Sequence, residues 1–100
     1  DYANKLADKL SKNNNRKGVL ICGTGVGMSM AANKFNNIRA GLAYNSEVAK
    51  LIREHNDANI LVLPGKYMDV KEAVKSVDNF ISSSFEGGRH NRRLKKMIKK

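Results

Sequence analysis

Three short apolar runs set the terms on which this chain can fold. GVLIC (18–22), IRAGLAY (38–44) and NILVLPG (59–65) are each of strand length, and stretches of helical periodicity separate them. GVLIC is apolar without alternation, the pattern of a strand covered on both faces, and Pro64 and Gly65 close NILVLPG. Strands that alternate with helices call for a parallel sheet joined by crossovers. The expected fold class is therefore α/β: an open, Rossmann-like parallel sheet with helices on both faces, in one domain over residues 1–100.

The helical segments follow from spacing. Tyr2, Leu6 and Leu10, with Ala3 and Ala7, recur at i, i+4, and KNNNRKG then breaks the pattern. MSMAANK fits a short helix. Asn45-Ser46 can cap SEVAKLIREH, which places Val48, Leu51, Ile52 and His55 on one face. Asp69 and Glu72 make a D-x-x-E start for a helix whose stripe is Val70, Ala73, Val74, Val77, Phe80 and Ile81. The tail offers Leu94, Met97 and Ile98 at helical spacing, a basic C-terminal helix over 89–100. Three strands are few for a parallel sheet, and an opening helix is unusual. The fold is thus expected to lack an N-terminal strand–helix–strand portion.

Composition excludes several classes of function. No apolar run approaches the roughly 20 residues of a membrane span, and the charged start is unlike a signal peptide. One cysteine cannot make an intramolecular disulfide, and two histidines give no expectation of a metal cluster. This is the composition of a cytoplasmic protein. The net charge of +10 resides mostly in the tail, because 89–100 hold seven of the 19 basic residues and all nine acidic residues precede Gly87. Such a terminus suits a nucleic-acid arm, a phosphate-binding element or a solvated helix. With no Trp and 6% aromatics, the chain lacks the stacking platform that single-stranded nucleic acid uses, so nucleic acid is not the expected partner.

Chemistry concentrates in three stretches. In CGTGVG, Cys22 ends a strand where open α/β sheets bind ligands, and Gly23, Gly25 and Gly27 alternate with Thr24 and Val26 before a helix. Glycines there let backbone N–H groups face an anion. The spacing matches neither the dinucleotide fingerprint nor a P-loop, and a lone cysteine is as readily a buried structural thiol. In REHNDAN (53–59), His55 ends a helix, while Asn56, Asp57 and Asn59 are either hydrogen-bonding groups for a ligand or turn formers. In EGGRHNRR, Arg89 and Arg93 share a face if helical, which suits a phosphate monoester or a solvated helix end.

Together and in this order, CGTGVGMSMAANK, REHNDAN and FEGGRHNRR resemble the hallmark segments of the type B ribose-5-phosphate isomerases, in the family that also holds the galactose-6-phosphate isomerase subunits. The resemblance runs over essentially the whole chain. It implies an aldose–ketose isomerisation, ribose 5-phosphate to ribulose 5-phosphate through an enediolate, without metal or cofactor. By position, Cys22 resembles the general base and Gly23, Thr24, Gly25, Val26 and Gly27 the nest for the enediolate, with Thr24 beside the reacting carbons. His55 resembles the residue that opens the sugar ring, Asn56 a hydroxyl ligand, and Arg89 and Arg93 the phosphate ligands. Lys66 stands where the family often has an arginine, keeping the charge without the bidentate fork.

The resemblance further implies homodimers or tetramers with active sites between subunits, His55 and the phosphate-binding arginines coming from the neighbour. The family's opening strand, with its Asp-His pair, and the helix and strand after it have no counterpart here. A polypeptide that begins at Asp1 is accordingly expected to be incomplete, poorly stable and inactive. The alternatives are the same chemistry on galactose or allose 6-phosphate, a non-catalytic basic module that binds nucleic acid through 89–100, and an enzyme fragment with no activity of its own.

Overall fold

The computed structural model describes residues 2–12 and 16–86. Its elements run α1 (Tyr2–Ser11), β1 (Gly18–Cys22), α2 (Val26–Ala32), β2 (Ala40–Leu42), α3 (Ser46–Asn56), β3 (Ile60–Pro64), a 3₁₀ turn (Gly65–Tyr67) and α4 (Val70–Ser82). All strand pairs are parallel, in the order β1-β3-β2. Gly18 and Ala40 both pair with Ile60, so the three strands start level. The basic helix expected over 89–100 lies outside the described residues.

Central β3 is buried at every position, as its unbroken apolar run requires. Successive side chains of a strand point to opposite faces, and the core divides accordingly. Ile60 and Val62 join Leu20 with Ala3, Ala7 and Leu10 of α1 and Ala32 of α2 on one face. Leu61 and Leu63 join Ala43, Ala49 of α3 and Phe80 of α4 on the other. Helices thus cover both faces of an open parallel sheet, the expected class.

Four local readings shift. Ile21 is 59% exposed, so β1 is not covered on both faces along its whole length. β1 is an edge strand without a partner on its outer side among the described residues, and Ile21 lies near its end. Tyr2 is exposed, and α1 packs through the small Ala3 and Ala7 instead. IRAGLAY yields only Ala40–Leu42; the Ala43 N–H still donates to the Val62 carbonyl of β3 at 3.0 Å, and the chain bends at Tyr44 and Asn45 into α3.

The fourth shift concerns α4. Val70, Val74 and Ile81, read as part of its buried stripe, are exposed. The helix is turned so that Glu72, Ser76 and Asn79, at i, i+4 and i+7, line up towards α3. Asn79 Nδ2 donates to the Ser46 carbonyl at 2.9 Å, and Ser76, fully buried, donates to the Glu72 carbonyl at 2.8 Å. Asp69 caps α4 by accepting from the Glu72 N–H at 2.8 Å, as D-x-x-E predicts. The Glu72 carboxylate does not reach back to Asp69. It accepts from the Ser46 N–H at 2.5 Å and so satisfies an orphan donor at the start of α3.

That bond from Ser46 is the main reason the Glu72 carboxyl titrates below its ordinary value of 4.5. A carboxylate with a depressed folded pKa contributes stability above its unfolded pKa and loses it as pH falls through the folded value. Urea denaturation from neutral pH down through 4.5 should therefore show a loss on the acid side. Glu72→Gln should remove part of that loss while lowering stability at neutral pH. An unchanged acid limb in the variant would refute the coupling.

Candidate active site

β1 delivers Cys22 to the carboxyl end of the sheet, opposite Pro64 of β3. The thiol is free and half-buried. The chain then turns at once, and the Gly25 N–H donates to Cys22 Sγ at 3.0 Å. Thr24 Oγ1 accepts from the Val26 N–H at 3.3 Å, and α2 begins at Val26, two residues earlier than MSMAANK suggests. The Lys66 N–H donates to the Gly23 carbonyl at 3.0 Å, which brings the exposed Lys66 beside the same turn.

The three glycines of this turn do different work. Gly25 has φ +82°, and a Cβ there would collide with Leu42 Cδ1 and sit 3.2 Å from Val62 Cγ1. Backbone conformation and packing both require glycine at this position. Gly23 and Gly27 are exposed, and a Cβ on either would meet nothing within 4 Å. The fold does not need glycine at 23 or 27. What their missing side chains leave is open space over the backbone beside Cys22.

REHNDAN resolves largely in favour of turn formation. Asp57 caps α3 in the left-handed region at φ 51°, its N–H donating to the Ile52 carbonyl. Its carboxylate is held by Arg39 Nη2 at 2.9 Å and by Arg53 Nη1. Asn59 Oδ1 accepts from the Arg39 N–H at 2.8 Å, and its Nδ2 donates to the Asn37 carbonyl at 2.8 Å. His55 and Asn56, both half-buried, end α3. Asn56 lines a cavity of about 490 Å³ shared with Ile52, Gly41 and Phe35.

α3 runs back along the sheet, so its end lies at the amino ends of the strands, away from Cys22. Five residues of β3 span roughly 13 Å between the two. One chain therefore brings Cys22, Gly23, Thr24, Gly25, Val26, Gly27 and Lys66 together, and His55 with Asn56 elsewhere. Arg89 and Arg93 lie outside the described residues. Two histidines give no expectation of a metal cluster. The fold nevertheless gathers Glu54, His55 and Glu86, whose ligand atoms lie within 4.8 Å of one another, because the Glu86 N–H donates to the Glu54 carbonyl at 2.9 Å. Glu86 is remote in sequence, so no spacing signal could reveal this trio. Exposed acidic groups are common without an ion, and no site is assigned to it.

A model of the ribose/galactose isomerase family matches residues 1–97. The chain belongs to that family. It is 49% identical over 98 residues to the probable ribose-5-phosphate isomerase B of Mycoplasma pneumoniae, covering 98% of this chain and 64% of that protein. It is 41% identical over 93 residues to ribose-5-phosphate isomerase B of Escherichia coli, with 93% and 62% covered. The ribose-5-phosphate isomerase B of Mycoplasma genitalium, solved with bound ribulose-5-phosphate, superposes with a TM-score of 0.93 at 46% identity, over 98% of this chain and 65% of that one. The chain thus spans just under two thirds of the length of these relatives. No helix among the described residues is long and apolar enough to cross a membrane.

The glycine turn yields a pair of contrasting expectations. Gly25→Ala should destabilise the fold by about 2–4 kcal/mol, from left-handed strain and overpacking against Leu42. Gly27→Ala lies inside α2 and should be neutral or stabilising by up to about 1 kcal/mol. Urea midpoints of the two variants check both. Equal destabilisation would show that Gly27 is a packing glycine after all.

Proposed function

We propose that this chain carries the proton-abstracting part of a ribose 5-phosphate isomerase. The observation that carries the reading is the open glycine turn at the carboxyl end of β1, whose Gly25 N–H already donates to Cys22 Sγ. That bond fixes the sulfur beside the open space that the glycines leave. The family membership and the ribulose-5-phosphate bound to the Mycoplasma genitalium relative support the substrate class.

In the open-chain aldose, the Cys22 thiolate removes the C2 proton. The C–H electron pair forms the C1–C2 double bond, and the carbonyl pair moves onto O1. Backbone N–H groups of Gly23 to Gly27 stabilise the developing oxyanion, with Thr24 beside the reacting carbons. The proton on O2 then passes to O1, the O2 electron pair closes the C2 ketone, and the C1–C2 double-bond pair takes the proton back from the Cys22 thiol at C1. General-base catalysis contributes about 10²- to 10⁴-fold, and one oxyanion donor about 3–4 kcal/mol in a measured case. Lys66, whose N–H bonds the Gly23 carbonyl, adds a positive charge for the phosphate, and Arg89 and Arg93 of a second copy bind it.

His55 opens the ring and Asn56 binds a sugar hydroxyl, each from a second copy of the chain. Support for that division comes from the sheet itself, which separates them from Cys22 by its full length. A homodimer, or a tetramer built from dimers, follows. The reaction is complete with side chains and backbone alone and draws on no cofactor.

Incubation of the naturally expressed protein with ribose 5-phosphate in D₂O should yield ribulose 5-phosphate labelled at C1, and Cys22→Ala should lower the rate by at least about 10²-fold. Mixing inactive Cys22→Ala with inactive His55→Ala should restore about a quarter of wild-type activity, since half of randomly assorted dimers then hold one intact site. A Cys22→Ala variant of undiminished rate sinks the assignment of the base. Absence of complementation sinks the shared site. Turnover of galactose or allose 6-phosphate in place of ribose 5-phosphate would move the substrate to the hexose class.

A further inference from the structure

The residues just before the three strands build a second polar cavity at the far end of the sheet from Cys22. Lys17 precedes β1, Arg39 precedes β2 and Asn59 precedes β3, and all three line a cavity of about 450 Å³ with Arg16, Arg53 and Asp57. That volume lies within the range of ligand pockets, about 300–1,000 Å³. Four cations face one carboxylate, and Asp57 is already shared between Arg39 and Arg53. The lining therefore carries a surplus of three positive charges. Arg53 is only 15% exposed, and its Nε is a buried donor without an acceptor among the described residues.

We propose that this cavity is a binding site for a phosphate dianion, free or as a monoester, held by Arg16, Lys17, Arg39 and Arg53 at the amino ends of the strands. Guanidinium groups bind phosphate through paired, charge-assisted hydrogen bonds. Lys17 feels both its burial and the charge beside it. Its ammonium is pushed below its ordinary value, first by partial burial and then by the charge of Arg53, with Asp57 opposing. An anion in the cavity would relieve that repulsion. Arg39 and Arg53 serve the fold as well, through Asp57. Arg16 and Lys17 are exposed, and among the described contacts only Lys17 reaches another element, donating to the Ile81 carbonyl at 3.3 Å. Those two are the residues to change.

The test is titration of the ¹⁵N-labelled full chain with inorganic phosphate, against sodium chloride at matched ionic strength. Saturable amide shifts at 16–18, 37–39 and 57–59 are expected, absent with chloride. R16Q/K17Q should weaken them by about tenfold or more, the worth of one charge-assisted bond, and Cys22→Ala should leave them unchanged. A melting temperature near wild type shows that the double variant remains folded. Ribose 5-phosphate separates the two sources of the group. If it shifts this cluster with its own dissociation constant, as phosphate does, the site takes monoesters as well as the free ion. Shifts confined to Gly23–Gly27, equal shifts with chloride, or an unchanged R16Q/K17Q titration would each overturn the proposal. So would a response to ribose 5-phosphate alone that follows the Cys22 turn at a single dissociation constant.

Discussion

β3 is paired on both edges and covered on both faces, and the placement of every other element follows from that. Its residues sit at essentially zero exposure from Ile60 to Leu63, and the register with β1 and β2 is fixed from Ile60 onwards. A slip of one residue would exchange the Ile60/Val62 face with the Leu61/Leu63 face. Ile60 and Val62 would then meet the Ala49 and Phe80 layer, and Leu61 and Leu63 the alanines of α1. Both packings are built for particular partners, so the register is specified from two sides. Level strands in turn bring Cys22 out at one end of the sheet and Lys17, Arg39 and Asn59 out together at the other.

The hydrogen bonds at the ends of α3 hold the rest in place. At its start, Asn45 accepts from the Val48 N–H while Glu72, from another helix, accepts from the Ser46 N–H. At its end, Asp57 adopts a left-handed conformation and is held by Arg39 and Arg53. One acidic residue thus ties the C-terminus of a helix to the residue that opens β2. The ion pairs are partly buried and share their carboxylate, which distinguishes them from isolated exposed pairs of little worth. The same arrangement leaves two guanidiniums and two neighbouring cations against a single negative charge.

Much of this was legible in the sequence. Unbroken apolar runs located β1 and β3, and alternation with helices gave the parallel sheet. Asn45 and Asp69 announced the helix starts, since short polar side chains before an apolar run satisfy orphan donors wherever they occur. What escaped was set by packing at a distance. Val70, Val74 and Ile81 match a buried stripe as well as Val77 and Phe80 do, yet they face outwards in a helix that meets Ser46 through Glu72 and Asn79 and the core through Phe80. In CGTGVG the three glycines look alike as letters. Neither spacing nor composition distinguishes Gly25, which Leu42 and Val62 demand, from Gly23 and Gly27, which nothing in the fold demands. The basic cavity was invisible for the same reason, because Lys17, Arg39 and Asn59 become neighbours only once three strands begin level.

The length of the sheet also constrains how a site can be assembled from these parts. A parallel strand has one carboxyl end, and each helix that follows it returns the chain to the amino end before the next strand starts. Residues between a strand's end and the first turn of the next helix, such as Gly23 to Gly27, therefore collect at one end, and residues at a helix's C-terminus, such as His55 and Asn56, at the other. No adjustment of loops within one chain closes a gap of five strand residues, because the packed core between the ends does not compress. A substrate the size of a pentose phosphate, touching Cys22, cannot also touch His55 of the same chain. If both act on it, the second must arrive on another copy, and the symmetry of such an arrangement gives each copy one site of each kind.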